Sequence, residues 1–323
     1  MFSKKRSFLP WMGLLIVILS PVLVSADYFT GCSTKEDSTN KNLSCVSVPQ
    51  SIIFCGDTID LTRYDRHERM DRELLAFSYM HSSSIQTIKR ANRYFPVVEP
   101  ILKENGIPDD FKYLMAIESA CDPLARSRVG AAGLWQFMPV TGKEYGLEVN
   151  NYVDERYHVE KSTKAACKYL KEAYARFGDW VSVASSYNAG QGRISQQQQK
   201  QYTDETLDLH LVEETARYIY RIFVAKMLFE NPKQFGFYLK ASDLYPAIPC
   251  RTIKVRKNIT DLARFAKSQG VTYAILRNLN PWLRNSTLHC HSGKEYTLLI
   301  PDQEKMHYNP LMVIPHDRRW VVE

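Results

Sequence analysis

Apolar side chains recur with a helical period through the middle of this chain, from Arg66 to Phe235. One stripe of small and apolar residues runs through 160–177 and stops at Gly178, and a second runs through 213–230 and stops at Asn231-Pro232. Glycine and proline are typical helix stop signals at such places. The pattern therefore predicts a compact helical domain of ordinary size.

A different pattern begins after Tyr245. Residues 252–256 alternate as a strand does, 259–268 and 273–278 have short helical patterns, and 295–300 have the composition of a second strand. This order of elements predicts a small α+β module of the βααβ type. The predicted fold class is mainly α, with the α+β domain at the C-terminal end.

The first 26 residues have the order of a secretory signal peptide. A basic start at 4–6 precedes an apolar stretch at 8–24, and small residues at 24–26 suit a signal peptidase. An uncleaved membrane anchor is an alternative, because the stretch is nearly long enough to cross a bilayer, but its two prolines favour cleavage. Lipid attachment at Cys32 is a third alternative. We expect an exported, periplasmic protein, and a membrane contact would be made through this segment or a lipid.

The composition is that of a globular protein of about two domains. Of 323 residues, 45% are hydrophobic and 24% charged, which excludes a disordered chain, a collagen and a coiled coil. The formal net charge is +7, and residues 4–6 of the predicted signal contribute three of these charges. A mildly basic surface favours an anionic polymer as partner. Nucleic acid is not predicted, because the sequence has no Lys/Arg run with interleaved aromatic residues.

Seven cysteines are too few for a disulfide scaffold, although an exported chain lies in a compartment where pairs form. Cys250 and Cys290 bracket the C-terminal module, and we expect them to pair. No Cys-x-x-Cys or His-x-x-x-His spacing occurs. The sequence therefore predicts neither a metal nor a cofactor.

The most informative segment spans 108–119. Pro108 and two acids open a helix, and Glu118 then falls on its apolar stripe, seven residues after Phe111. A carboxylate there loses hydration and lies near the negative end of the helix dipole, and both effects favour its protonated form. A protonated carboxyl suits general acid catalysis at a glycosidic oxygen. A buried carboxyl that pairs with an arginine or caps a backbone group would explain the spacing equally well.

Two later segments supply neutral hydrogen-bonding groups. Small residues within 127–139 let the chain fold tightly, so that Ser127 and Gln136 would face one cleft, and Tyr187 and Asn188 stand before two glycines. One acid among neutral donors and aromatic rings resembles the lining of a sugar groove.

Four blocks in this order resemble the lytic transglycosylase family, whose fold is similar to goose-type lysozyme. They are Glu118-Ser119, 130–139 (GAAGLWQFMP), 187–190 (YNAG) and Glu214-Thr215 with Tyr218. The stretch from about Arg90 to Phe237 looks most like the membrane-bound lytic murein transglycosylase D type. The C-terminal module resembles a LysM repeat, a binder of N-acetylglucosamine chains, and a spacer that does not bind sugar is the alternative.

The resemblance implies a reaction with one carboxylate. Glu118 would protonate the oxygen that links N-acetylmuramic acid to N-acetylglucosamine in peptidoglycan. As a carboxylate it would then take the proton of the muramoyl 6-hydroxyl, which leaves a 1,6-anhydro end and consumes no water. Most glycosidases use two carboxylates, and the Gly-Leu-Trp-Gln and Tyr-Asn-Ala-Gly blocks contain no second one. The alternatives are a muramidase on the same fold, which hydrolyses the bond, and a non-catalytic wall-binding protein.

The resemblance also assigns substrate-binding roles. Ser127 would bind the substrate acetamido group and Gln136 a sugar near the cleaved bond. Tyr187 would place its hydroxyl beside the acid or the developing oxocarbenium ion, and Asn188 would hold the turn or a sugar. Glu214 would either line the groove or open its helix.

The expected partner is the peptidoglycan glycan strand, and we expect a monomer. The predicted organisation is a signal peptide (1–26), a linker or extended arm (27–56), a helical transglycosylase region (57–237, core about 90–237), a LysM-like module (246–301) and a tail (302–323).

Overall fold

The computed structural model describes residues 45–291 and 293–322. The predicted signal peptide and Cys32 lie outside the described residues. Within these two ranges, none of the helices combines the length and the apolar content that crossing a bilayer requires.

The described part is mainly helical, which confirms the predicted fold class. Its helices are α1 (Tyr64–Tyr79), α2 (His81–Glu104), α3 (Phe111–Ser119), α4 (Pro139–Glu144), α5 (Val159–Phe177), α6 (Trp180–Ala189), α7 (Gln191–Gln201), α8 (Glu213–Glu230), α9 (Leu262–Ser268) and α10 (Tyr273–Leu279). Its strands are β1 (Ser51–Phe54), β2 (Asp57–Asp60), β3 (Cys250–Val255) and β4 (Tyr296–Pro301).

The helix ends follow local signals in the sequence. Gly178 has a φ of +76° and closes α5, and the Asp179 carboxylate then accepts the Ser182 backbone N–H at 2.7 Å to cap α6. Helix α3 ends at Ala120, whose φ is +51°. The apolar faces of α2, α3, α5, α6 and α8 meet in one hydrophobic core.

The segment before the helices is more ordered than a linker. Strands β1 and β2 form an antiparallel hairpin that pairs Ser51 with Asp60. Ile52 and Phe54 are buried in the helical core, and the Phe54 ring lies 5.4 Å from that of Phe223. Residues 51–56 of the segment predicted as a linker or extended arm thus form a strand and the turn after it, because two alternating apolar residues are enough to anchor a short strand.

The C-terminal module has the predicted strand, helix, helix, strand order, with β3 and β4 antiparallel. It does not form an independent core. Its buried residues cluster with Ala132, Val153 and Tyr157 of the helical part, and the Asp154 N–H donates to the Trp282 carbonyl at 2.8 Å. A module of this size buries little apolar surface alone, so the shared core supplies the difference.

The expected bond between Cys250 and Cys290 is absent, and neither thiol is bonded to another cysteine of the described ranges. Cys250 begins β3, whereas the Cys290 thiol lies near the carbonyl of Lys257, beyond the other end of that strand, at 3.4 Å. The two residues are thus separated by the length of a six-residue strand, roughly 20 Å. A disulfide requires Cα atoms within about 7 Å.

Deleting residues 246–323 is expected to lower the melting temperature by about 10 °C or more. The deletion exposes Ala132, Val153 and Tyr157, and it removes the buried Trp320 ring, whose indole N–H donates to the Phe229 carbonyl at 2.8 Å. Loss of a buried tryptophan alone costs about 3–5 kcal/mol, and each kcal/mol shifts the melting temperature of a chain this size by about 2–4 °C. Calorimetry of both chains measures the difference. An unchanged melting temperature would show that the helical part is stable by itself.

Candidate active site

Glu118 lies half-buried near the end of α3, facing α8. The Tyr218 hydroxyl donates a hydrogen bond to its Oε1. Burial raises the pKa of Glu118, whereas the Tyr218 hydrogen bond and the positive charge of Arg221 act to lower it and the Glu214 carboxylate acts to raise it further. The net shift is upward, so the protonated form persists to higher pH than for an exposed glutamate.

No arginine or lysine among residues 45–291 and 293–322 forms an ion pair with Glu118. The alternative reading of the sequence, in which Glu118 pairs with an arginine, is therefore not observed among these residues. A single hydroxyl holds one carboxyl oxygen, and Oε2 is left for another partner.

Tyr187 and Tyr218 approach the acid from different helices. The sequence analysis expected the Tyr187 hydroxyl beside Glu118 or the developing oxocarbenium ion. In the structure this hydroxyl donates to the Trp135 carbonyl at 2.7 Å. Burial, followed by the charge of Glu118, raises the pKa of Tyr187. The hydroxyl that contacts the acid belongs to Tyr218, which the sequence analysis included only as part of a motif.

A tight loop at 125–137 carries Ser127 and Gln136. The Ser127 hydroxyl oxygen accepts the Ala131 N–H at 3.0 Å. Gln136 has a φ of +48°, and its side-chain amide donates to the carbonyls of Gly133 at 2.7 Å and Ala125 at 3.2 Å. The structure thus uses both polar side chains to brace the loop.

Arg156 anchors this loop from outside. Its guanidinium donates to the carbonyls of Gly130 at 2.7 Å and Phe137 at 2.9 Å, and it pairs with Asp154 at 2.7 Å. Gly133 packs so closely that an added Cβ would lie 1.9 Å from the Arg156 carbonyl oxygen. Sequence reasoning missed Arg156, which stands in none of the motif blocks.

Asn188 and Glu214 lie at the junction of α6 and α8. The side-chain Oδ1 of Asn188 accepts a hydrogen bond from the Thr215 hydroxyl at 2.9 Å, so Asn188 ties the two helices together. Glu214 is exposed in the first turn of α8, where a carboxylate is favoured by the helix dipole. Of the predicted site residues, only Glu214 contributes to the pKa shift of Glu118.

Two family models match the chain. Residues 97–209 match the model described as "Transglycosylase SLT domain", and residues 251–304 match "Soluble lytic transglycosylase C-terminal LysM-like domain". The chain carries a transglycosylase SLT domain. The two resemblances found in the sequence are thereby confirmed. Glu118, Ser127, Gln136, Tyr187 and Asn188 lie inside the first match, whereas α8 follows it.

The SLT domain also relates the chain to named proteins. The chain is 28% identical over 254 residues to membrane-bound lytic murein transglycosylase D of Escherichia coli K12. The aligned part covers 76% of this chain and 54% of that protein. The soluble lytic murein transglycosylase of the same strain is 34% identical over 90 residues, covering 25% and 14%. The crystal structure of the 70-kDa soluble lytic transglycosylase from E. coli superposes with a TM-score of 0.37 at 19% identity, covering 50% and 30%. The chain spans about half the length of the first relative.

Within the described residues, no group of three or more His, Cys, Asp or Glu side chains is arranged to hold a metal ion.

Proposed function

We propose that this protein is a peptidoglycan lytic transglycosylase. The observation that carries the proposal is a half-buried carboxyl in an SLT domain, Glu118, held by one tyrosine hydroxyl and paired with no cation among the described residues. Burial keeps this carboxyl protonated at pH values where an exposed glutamate is ionised. The relatives of this chain include two proteins named lytic murein transglycosylases, the membrane-bound D protein and the soluble protein of E. coli.

The proposed reaction uses the protonated and the ionised form of one carboxyl group in turn. Protonated Glu118 gives its proton to the oxygen that joins N-acetylmuramic acid to N-acetylglucosamine, and the bond from that oxygen to the muramoyl anomeric carbon breaks. The resulting carboxylate takes the proton of the muramoyl 6-hydroxyl while that oxygen bonds to the anomeric carbon. The proton count on Glu118 is restored, the product has a 1,6-anhydro end, and no water enters.

The surrounding residues divide into positioning and binding groups. Tyr218 fixes Oε1, which leaves Oε2 to face the substrate. Ser127 and Gln136 lie on the braced loop, where their remaining polar atoms would bind sugar acetamido and hydroxyl groups. Tyr187 and Asn188 hold the surrounding elements through the Trp135 carbonyl and the Thr215 hydroxyl, and Glu214 would line the groove.

A muramidase is the second candidate, and Glu214 is the observation that favours it. A hydrolase of this kind commonly needs a second carboxylate to activate water, and Glu214 lies near enough for its charge to affect Glu118. Mass spectrometry of fragments released from purified peptidoglycan distinguishes the two reactions. Anhydromuramoyl ends are expected, whereas reducing ends would indicate the muramidase.

Location and domain organisation remain part of the proposal. A peptidoglycan enzyme acts outside the cytoplasm, which agrees with the signal-peptide prediction for 1–26. A monomer, a membrane contact through the N-terminal segment or a lipid at Cys32, and glycan binding by the LysM-like module at 246–301 stay predictions. The boundaries of the helical region at 57 and 237 also stay predictions.

The Tyr218→Phe substitution is expected to move the alkaline limb of the pH–rate profile to higher pH. The Tyr218 hydrogen bond favours the ionised carboxyl, so its loss raises the pKa of Glu118, and the acid stays protonated further into the alkaline range. The maximal rate should fall by about tenfold, because Oε1 is no longer held in place.

Tyr220→Phe is the matched control for that substitution. Tyr220 lies on the same helix, and its buried hydroxyl has no hydrogen-bond partner among the described residues. Its removal should leave the limb where it is. A Tyr218→Phe profile that moves to lower pH, or does not move, would contradict the role given to this hydroxyl.

A further inference from the structure

A cavity of about 390 Å³ lies beside the acid. Helices α1, α2, α3 and α8 form its walls, and Ile117 and Ala120, which flank Glu118 on α3, line it. Its volume is within the range of sites that hold small ligands, about 300–1,000 Å³. The proposed reaction at the glycosidic bond does not use this space.

The charged residues of the cavity are paired, with two exceptions. Glu73 pairs with Arg217 at 2.5 Å, and Glu213 pairs with Arg72. Arg221 also lines the cavity, half-buried, and it forms neither an ion pair nor a hydrogen bond with any residue in the described ranges. Glu214 is likewise unpaired there, but it is exposed and seven residues from Arg221, about 10 Å along the helix axis.

An unpaired, half-buried guanidinium is a site for an anion. Arginine keeps its charge at all accessible pH values and presents five N–H donors in a fork that matches a carboxylate. Partial burial leaves fewer of these donors to water. The energetic gain from a carboxylate at this position is therefore larger than at an exposed arginine.

The rest of the lining defines what else the ligand carries. Phe77, Met80, Leu228 and Phe229 give the cavity apolar walls. The expected ligand therefore combines a carboxylate with small apolar groups.

Arg221 is also placed to act on the same substrate as Glu118. Glu214, Tyr218 and Arg221 stand at i, i+4 and i+7 of α8 and lie on one face of that helix. Tyr218 holds the acid, and Arg221 is one turn further along. A ligand in the cavity would thus be attached close to the bond that Glu118 cleaves.

We propose that Arg221 binds a carboxylate of the lactyl-peptide substituent on the muramoyl residue. This inference rests on the proposed function, since only a peptidoglycan strand carries that substituent beside the cleaved bond. The substituent combines carboxylates with small apolar side chains, as the cavity requires. Because of Arg221, the protein would bind strands whose substituent carries a carboxylate more tightly than strands whose substituent is neutral.

The test compares the binding of two soluble peptide-bearing glycan preparations. One is untreated, and in the other the carboxylates have been converted to amides with a carbodiimide and ammonia. The reference protein is the full chain carrying Glu118→Gln, so that neither preparation is cut. We expect it to bind the untreated strands about tenfold more tightly, as a charge-assisted hydrogen bond would give.

Adding Arg221→Met should reduce this preference to about one, while binding of the amidated strands stays unchanged and shows that the fold is intact. Arg221→Lys should keep part of the preference. Lys171→Met, which removes an exposed positive charge on α5, is the control and should keep all of it. The inference would be overturned if the reference chain bound untreated and amidated strands equally well. It would also be overturned if the chain with Arg221→Met still bound untreated strands more tightly.

Strands freed of peptide by an amidase locate the bound carboxylate. In untreated strands the lactyl carboxyl is bound in an amide to the peptide, so every free carboxylate of the substituent belongs to the peptide. The amidase hydrolyses this amide, removes the peptide carboxylates and forms one new lactyl carboxylate. If the reference chain binds the treated strands as weakly as the amidated ones, Arg221 contacts a peptide carboxylate, whereas binding as tight as to untreated strands shows that a carboxylate on the lactyl group is sufficient. Product analysis on the parent chain tests the proposed function separately. Anhydro products together with no carboxylate preference would contradict the role of Arg221 alone.

Discussion

The Glu118→Gln variant is expected to release fragments from purified peptidoglycan about 10³-fold more slowly than the parent chain. The amide keeps the shape of the side chain but has no transferable proton, and general acid–base catalysis contributes about 10²–10⁴-fold. The carboxyl performs two proton transfers in the proposed reaction, so both are lost together. Turbidity loss of a peptidoglycan suspension measures the rate, and co-sedimentation shows that binding is retained.

Glu214→Gln is the matched control for this experiment. It makes the same chemical change at the other carboxylate of the site, which is exposed. A one-carboxylate reaction predicts a loss of at most about tenfold, since Glu214 transfers no proton and its charge only modulates the pKa of Glu118. Comparable losses in the two variants would favour the muramidase, and full activity of Glu118→Gln would remove the acid from the mechanism.

The Gly133→Ala substitution is expected to destabilise the fold by about 3 kcal/mol or more and to abolish activity. Gly133 has a φ of +77°, and the added Cβ would lie 1.9 Å from the Arg156 carbonyl oxygen. Neither backbone can yield without breaking the contacts of Arg156 to the carbonyls of Gly130 and Phe137. The loop that carries Ser127 and Gln136 would therefore move. Urea unfolding followed by circular dichroism measures the loss.

Gly130→Ala separates crowding from backbone strain in the same loop. Gly130 also has a positive φ, +93°, but no atom lies within 4 Å of its added Cβ. Only the strain of the left-handed conformation remains, roughly 1–2 kcal/mol. Equal destabilisation by the two substitutions would mean that the close approach at Gly133 is unimportant.

The acid was predictable from the sequence because its signals are local. Glu118 falls on the apolar stripe of a helix whose start is marked by Pro108, and periodicity within one helix is enough to place it. Its partner was not predictable in the same way. Tyr218 is 100 residues away, and only the packing of α3 against α8 brings the two side chains together.

The braces of the active-site loop were missed for the same reason. Ser127 and Gln136 are polar residues beside glycines, a pattern that indicates a turn without showing which atoms the side chains bind. In the structure both serve the loop, and Arg156 completes its support from a different segment. A substrate-binding role for Ser127 and Gln136 therefore has to use the polar atoms that the loop leaves free.

For the C-terminal module, the sequence predicts the order of helices and strands correctly but not the interactions that stabilise them. The order of β3, α9, α10 and β4 follows from the sequence, but the expected disulfide between Cys250 and Cys290 does not form. The module instead buries Ala132, Val153 and Tyr157 of the SLT part in its own core. Periodicity identifies apolar faces without identifying the surfaces that cover them.

Titration of the Glu118 carboxyl by carbon NMR, with Glu118→Gln to assign its signal, would show whether this side chain holds a proton in the pH range where the enzyme works. Burial should place the pKa of Glu118 above the ordinary value of about 4.3, so that a protonated carboxyl is present where an exposed glutamate is already ionised. The account predicts a midpoint clearly above that value, and a further rise in Tyr218→Phe. A midpoint at or below the ordinary value would show that Glu118 is a carboxylate under working conditions and cannot supply the proton that breaks the glycosidic bond.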